Sequence, residues 1–247
     1  AYWQKDALNK DHYNSFLPAV FDFPLYDALN KAFDEPEGWN TGILRLFDVL
    51  SQDFSYANPS NIVVFADNHD VTRYLDTQKN DPGKVKMAMA FVLTTRGIPE
   101  IYYGTEVMMF GGDYNGDGNK RRDFPGGWAG DQHDAFTPEG RTSLESDLHG
   151  YLRNLLHWRS TKDVVHSGKF RHFIPQDGIY TYFRYNAKEA VMVMINNNRE
   201  PKTIETQRFD EFLKKFKSGT DVISGMHLND LSKVTIPGKS AMIVELK

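Results

Sequence analysis

The sequence predicts an α/β unit followed by an all-β unit. Two observations carry this. In the first two-thirds, continuous apolar runs alternate with stretches of helical period, and after about residue 165 short, partly alternating runs follow one another between turn residues. The first pattern is that of a parallel sheet buried on both faces, the second that of a modest antiparallel β-sandwich. At 247 residues, with 40% hydrophobic and 25% charged, the chain has globular composition and room for one large domain or a medium one with a small companion.

The elements follow in order. Residues 19–23 form a short apolar run that stops at Pro24, and Leu25, Ala28, Leu29 and Ala32 then recur at helical spacing, as do Leu44, Phe47 and Leu50. Residues 61–66 are β-branched and aromatic without interruption, the composition of a strand buried on both faces. A helix over 84–96, capped by Gly97, leads to a strand over 98–103 ended by Gly104. After a Gly/Asp/Asn-rich loop at 111–135, Thr137 as N-cap and Pro138 at the first helical position predict a helix to about residue 162. The tail then gives strands over 170–174, 179–185, 190–195, 202–206, 234–236 and 241–246, with one helical interruption at 209–216. Three strand–helix units are too few to close an eightfold β/α barrel, which takes about 250 residues by itself. The front is therefore a small open α/β domain or the last part of a barrel.

Composition excludes several functions. The 33 acidic against 29 basic residues leave a net charge of −4, which argues against nucleic acid as a partner. The absence of cysteine removes disulfides, thiolate zinc sites and cysteine nucleophiles. The longest apolar run, 87–93, is far too short for a transmembrane segment. No signal peptide opens the chain, and its start at Ala1 reads as that of a processed or excised piece.

The segment Phe65-Ala66-Asp67-Asn68-His69-Asp70 places two carboxylates, an amide and an imidazole at the carboxyl end of a buried strand, where α/β sheets and barrels alike build their sites. From position alone, capping of the strand is an equal alternative. Together with Val71-Thr72-Arg73-Tyr74, this segment resembles the last motif of the alpha-amylase superfamily of glycoside hydrolases, at the end of barrel strand seven. Residues 97–106 are similar to that family's strand eight. The loop through Arg121-Arg122-Asp123-Phe124-Pro125-Gly126-Gly127-Trp128 resembles the neopullulanase and cyclomaltodextrinase branch, and the tail resembles the family's C-terminal β domain.

The resemblance implies a partial (β/α)8 barrel over residues 1–165, holding strands six to eight, and a C-terminal β-sandwich over 166–247. It further implies retaining hydrolysis of α-1,4-glucosidic bonds in maltodextrin or starch, in which one carboxylate attacks the sugar carbon and a carboxylic acid protonates the leaving oxygen. Asp70 falls on the third, transition-state-stabilising carboxylate, and His69 on a residue that hydrogen-bonds the same ring. Asp117 and Arg121 resemble the pair that grips the sugar on the non-reducing side of the cleavage point, and Trp128 is the stacking candidate. Neither the Gly-x-Arg-x-Asp type nucleophile motif nor the acid Glu is found, so the chain is expected to be the C-terminal portion of a larger hydrolase and inactive alone. Its expected partners are an α-glucan or maltooligosaccharide and the missing N-terminal barrel half; the branch suggests a periplasmic or secreted location.

Other readings stand beside these. Asp113, Asn115 and Asp117 match the opening of a calcium loop, but Phe124 stands where the closing Glu belongs; a solvated Gly-rich loop is the plain alternative. No other cofactor is implied. Arg73 orders the loop, orients Asp70 or lies on the surface, Asp67 is structural, and Glu100 and Glu106 carry no chemical step. The histidines, His12 among them, lack metal-ligand spacing; Trp3, Trp39 and Trp158, like Trp128, are aromatics able to stack on a sugar face, with core packing the default reading for Trp158 on its helix. Competing functions are a non-catalytic carbohydrate-binding module and a metal-dependent phosphohydrolase using His69 and Asp70; the second lacks a further His cluster.

Overall fold

The computed structural model describes residues 15–112, 114 and 116–247. Strand β1 (Val20–Phe21) ends at Asp22, whose carboxylate accepts the Leu25 amide at 3.1 Å and so caps α1 (Phe23–Ala32). Pro24 therefore opens a helix as well as closing a strand. Helix α2 (Leu44–Leu50) leads to β2 (Ile62–Val64), followed by the short α3 (Tyr74–Thr77). Helix α4 (Pro82–Thr94) is capped by Asp81, which accepts the amides of Gly83 at 2.9 Å and Lys84 at 3.3 Å. Strand β3 (Ile98–Pro99) follows Gly97, whose φ of +101° and close packing under the Ile62 carbonyl (2.5 Å from where a Cβ would lie) admit no side chain. The three strands pair in parallel in the order β1-β2-β3, with Val63 between Phe21 and Ile98. Each is shorter than the apolar run that predicted it: the run of β1 passes into the cap and first turn of α1, and those of β2 and β3 pass into the loops that build the candidate site.

Short α5 (Asp117–Lys120) is followed by α6 (Ser143–Ser160) and α7 (Asp163–His166). The start predicted for α6 at Thr137 is corrected: Thr142 is the N-cap, its hydroxyl accepting the Glu145 amide while Glu145 accepts the Thr142 amide. A capping box needs Glu or Gln three residues after the cap. Thr142 has Glu145 there, whereas Thr137 has Gly140, and residues 137–140 form a turn instead.

The tail forms a six-stranded antiparallel sheet in the order β4-β5-β6-β11-β8-β9. Its strands are β4 (Lys169–Gln176), β5 (Ile179–Tyr185), β6 (Ala190–Asn196), β8 (Gly219–Asp221), β9 (His227–Leu228) and β11 (Ser240–Leu246). Strands β7 (Lys202–Glu205) and β10 (Lys233–Ile236) pair apart from it, and helix α8 (Asp210–Leu213) is shorter than the helical stretch predicted at 209–216. Strands β8 and β9 were not foreseen: Gly-Thr-Asp has little β propensity, and Gly219 serves there because Val244 Cγ1 lies 2.4 Å from where its Cβ would be.

The sheet has two apolar faces. Tyr180, Tyr182, Val191, Val193, Ile195 and Ile243 share one core with α1, α2, α4 and α6. Ile179, Phe183, Met192, Met194, Met242 and Val244 make a second core with Phe209, Phe212, Val234 and Ile236. Helix α4 is covered on almost every side, all residues from Met87 to Thr94 being buried. Its carboxyl end consequently has no water for its carbonyls. Arg159 Nη1 donates to Leu93 O, and Arg184 Nη1 donates to Thr94 O at 3.2 Å and to Thr95 O, while its Nη2 reaches Gly168 O at 3.0 Å. Burial, with Arg159 nearby, pushes the Arg184 guanidinium down to about 10.

Replacing Arg184 by Met keeps much of its volume and leaves the end of α4 unpaired. Urea denaturation should show a loss of about 3 kcal/mol, since hydrogen bonds to a charged donor contribute about 1.5–3 kcal/mol each and stranded carbonyls add to the cost. An unchanged midpoint and slope would mean that these bonds do not hold the two parts together.

Candidate functional site

The site is built where the chain leaves β2 and β3. Beyond β2, Phe65, Ala66 and Asp67 are buried, and Asp67 accepts the Tyr74 amide at 2.9 Å and the Thr105 hydroxyl at 3.2 Å on each oxygen. Burial outweighs these bonds and raises its carboxyl to about 6. Asp67 is thus the floor of the loop. Asn68 Oδ1 accepts the Asp70 amide at 2.9 Å, a tight Asx turn that lifts His69 and Asp70 to the surface.

There the Asp70 carboxylate, 62% exposed, meets residues from the loop after β3. Arg121 Nη2 lies 3.1 Å from Asp70 Oδ1 and 3.1 Å from Asp117 Oδ2, and Arg121 Nε donates to His69 O at 2.9 Å. His69 Nε2 is 3.4 Å from the same Asp70 oxygen. Four of the residues expected from sequence, His69, Asp70, Asp117 and Arg121, therefore stand in one hydrogen-bonded cluster. Asp70 Oδ2 makes no hydrogen bond among the described residues and faces solvent. Glu100 stands nearby: burial raises its carboxyl, with His69 pulling the other way.

Trp128 does not join the cluster. Its amide donates to Asp131 at 3.0 Å, its ring is largely exposed, and no bond or ring contact ties it to Asp70 among the described residues. Asp113 and Asn115 of the calcium reading lie outside the described residues, as do Trp3 and His12. Asp117 is engaged by Lys120 at 3.1 Å and by Arg121, and no group of three acidic or imidazole side chains suited to a metal occurs among the described residues.

Two supporting residues were weighted too little in the sequence. Arg73, one of whose readings was a surface arginine, is completely buried. Its Nε donates to Lys120 O at 3.1 Å and its Nη1 to Tyr103 O at 2.7 Å, while its amide donates to Gly111 O at 3.0 Å. The guanidinium carbon lies 4.3 Å from the Tyr102 ring centroid and 4.9 Å from that of Tyr103. Arg73 thereby ties the loop after β2 to the loop after β3. Lys120, also buried, donates to Asp70 O at 3.2 Å and pairs with Asp117. The signal for Lys120 was present, since Asp117, Lys120 and Arg121 are spaced three and four apart, one helical turn.

Residues 7–192 match the family described as Alpha amylase, catalytic domain. The chain belongs to that family. Residues 170–245 also match the Cyclo-malto-dextrinase C-terminal domain. Among curated relatives, the chain is 29% identical over 209 residues to the Beta/alpha-amylase of Paenibacillus polymyxa, covering 80% of this chain and 15% of that protein. It is 31% identical over 194 residues to the Cyclomaltodextrin glucanotransferase of Geobacillus stearothermophilus, covering 78% and 24%. Its fold is that of the alpha-amylase from Geobacillus thermoleovorans solved with acarbose, with a TM-score of 0.75 at 23% identity over 94% of this chain and 48% of that one. The chain thus spans half or less of each of these alpha-amylase-family proteins. The partial barrel followed by an antiparallel β domain, expected from the sequence, is the architecture found.

Between about pH 4 and 6 the folded protein holds a proton on Asp67 that the unfolded chain, titrating near 3.8, releases. This carboxyl therefore lowers stability as pH rises through that window, by on the order of 3 kcal/mol, and has no further effect above it. In urea titrations from pH 4 to 7, the stability of wild type relative to Asp67→Asn should fall by that amount. A constant difference would show that Asp67 is ionised throughout.

Proposed function

We propose that the chain is the C-terminal part of a retaining hydrolase that cleaves α-1,4-glucosidic bonds of maltodextrin-like substrates. The division falls after residue 165, with residues 1–165 supplying barrel strands six to eight and 166–247 the β domain. The observation that carries the proposal is the cluster itself: an exposed carboxylate with one free oxygen, steadied by Arg121 and His69, at the carboxyl ends of parallel strands.

In this reading Asp70 does not attack carbon. It accepts hydrogen bonds from ring hydroxyls that strengthen as positive charge develops at the sugar, and a group held in place beforehand loses little in reorganisation. His69 donates to the same ring. Asp117 and Arg121 hold the neighbouring sugar on the non-reducing side, an acceptor and a forked donor suiting vicinal hydroxyls. Trp128, on a glycine-flanked turn of this loop region, supplies a face for stacking once a saccharide bridges to it. The nucleophile and the proton donor come from the preceding N-terminal half of the same polypeptide, so this chain alone binds glucan without cutting it.

Titration calorimetry with maltoheptaose should show binding to the 247-residue protein that Asp70→Ala weakens at least tenfold, with no reducing sugar released. In the complete hydrolase Asp70→Asn should lower kcat about a hundredfold or more while changing KM far less, the mark of an interaction made in the transition state. Hydrolysis of maltoheptaose by the 247-residue protein, or a complete Asp70→Asn enzyme with most of its activity, would overturn the assignment.

A further inference from the structure

A second groove, of about 630 Å³, shares no residue with the Asp70 cluster. It runs between the turn that joins α1 to α2 and the hairpin that joins β4 to β5, with Trp39, Leu44, Ile174, Asp177, Asn198 and Lys202 on its walls. Trp39 is 90% exposed, more than any other large hydrophobic residue among those described. Leaving an indole in water forgoes one of the largest burial gains any side chain offers.

The turn that carries Trp39 is nevertheless well fixed. Gly38 and Thr41 bridge, the Thr41 hydroxyl donates to Pro36 O at 2.9 Å, and Glu35 binds both the Gly42 amide at 3.2 Å and the Arg45 guanidinium. The facing wall is as rigid. Asp177 (φ +51°) and Gly178 (φ +72°) form a two-residue Asp-Gly hairpin turn, and Asn198 Nδ2 donates to Asp177 O at 2.8 Å. Asn197 Nδ2, 3.5 Å from Glu37 Oε1, joins the two walls. The side chains of Asp177 and Lys202 are exposed and carry no hydrogen bond or ion pair among the described residues. The groove thus presents an aromatic face carried on an ordered turn, an apolar strip from Leu44 and Ile174, and at its rim one carboxylate acceptor and one ammonium donor without a partner among the described residues.

We propose that this groove is a second saccharide site, which holds an α-glucan chain apart from Asp70. A glucose ring has an apolar C–H face and a rim of hydroxyls. The face fits the indole, and the hydroxyls fit Asp177 and Lys202, each able to pair without giving up an existing partner. The backbone turns that carry these groups are already tied down, so binding orders side chains and not loops. The inference rests on the glucan reading above for the class of ligand alone.

Maltoheptaose titrated into wild-type protein should reveal two classes of site. Trp39→Ala should remove one class or weaken it at least tenfold, Trp39→Phe should keep part of it, and Asp70→Ala should leave it intact. Thermal unfolding serves as the control, since a side chain this exposed should leave the midpoint unchanged. Identical isotherms for wild type and Trp39→Ala, with Asp70→Ala still losing a class, would overturn this site and leave the Asp70 assignment standing. A class lost only in Trp39→Ala, with Asp70→Ala as wild type, would support this site and overturn the other. Sedimentation that shows a dimer broken by Trp39→Ala, with unchanged isotherms, would assign the groove to a second copy of the chain and overturn the proposal.

Discussion

The carboxyl end of α4 is the constraint on which the two parts of the molecule depend. A helix covered on nearly every side gains the full hydrophobic stabilisation of its surface, but its last carbonyls must find donors inside the protein. Leu93, Thr94 and Thr95 find them in Arg159 from α6 and Arg184 from β5. Thr94 adds a hydroxyl contact with Tyr182 OH at 2.5 Å, also from β5. The helix is therefore closed off by side chains from α6 and from the β sheet, and the sheet is held by the helix. This is why one apolar core runs through both parts, although the sequence changes character between them.

The consequence reaches the candidate site through β3. Gly97 lies three residues beyond the end of α4 and sits against the Ile62 carbonyl, so the position of the helix end sets the register of β3 beside β2. That register brings the loop after β3 over the loop after β2, where Arg73 joins them. A buried guanidinium is costly unless its donors are used, and here Nε and Nη1 reach carbonyls and two aromatic rings face the cation, while Nη2 is left without a hydrogen-bond partner. The arrangement is more specific than an apolar contact because it fixes Tyr103 and Lys120 in both distance and direction. Lys120 then supports Asp70 from beneath while Arg121, its neighbour, meets Asp70 from above.

Much of this was legible in the sequence, and the failures have physical causes. The run before Asp67, the helical stretch before Gly97 and the alternation in β5 are local signals, and local signals survived folding. Arg73 was ambiguous because nothing within a few residues shows that its partners, Tyr103 and Lys120, are 30 and 47 positions away. Strand β8 forms because β11 offers an edge to pair with, not because Gly219–Asp221 favours extension, and β9 pairs in turn with β8. The helix predicted from Thr137 had the right cap and the right proline but lacked an acid three residues on. The fit of His69, Asp70, Asp117 and Arg121 into one cluster was carried by family resemblance, since 47 residues separate Asp70 from Asp117 and no spacing rule spans them.

The parallel sheet raises the last question of stability. Parallel strands are ordinarily buried on both faces and paired on both sides, and an apolar edge left open invites association. Among the described residues, β1 and β3 are edges, with Phe21 43% and Ile98 45% exposed. Beside β3, Ile101, Tyr102, Leu152 and Leu156 line an open groove. These surfaces suit neighbouring strands and helices better than they suit water, and the fold relatives of which this chain covers about half have further chain to offer. The same logic makes the candidate site one wall of a cleft: Asp70 and Arg121 stand at strand ends, next to edges at which a barrel would continue. In the hydrolase proposed above, a saccharide held by Asp70 would lie toward those edges, and the cutting carboxyl groups would stand on the strands that complete the barrel.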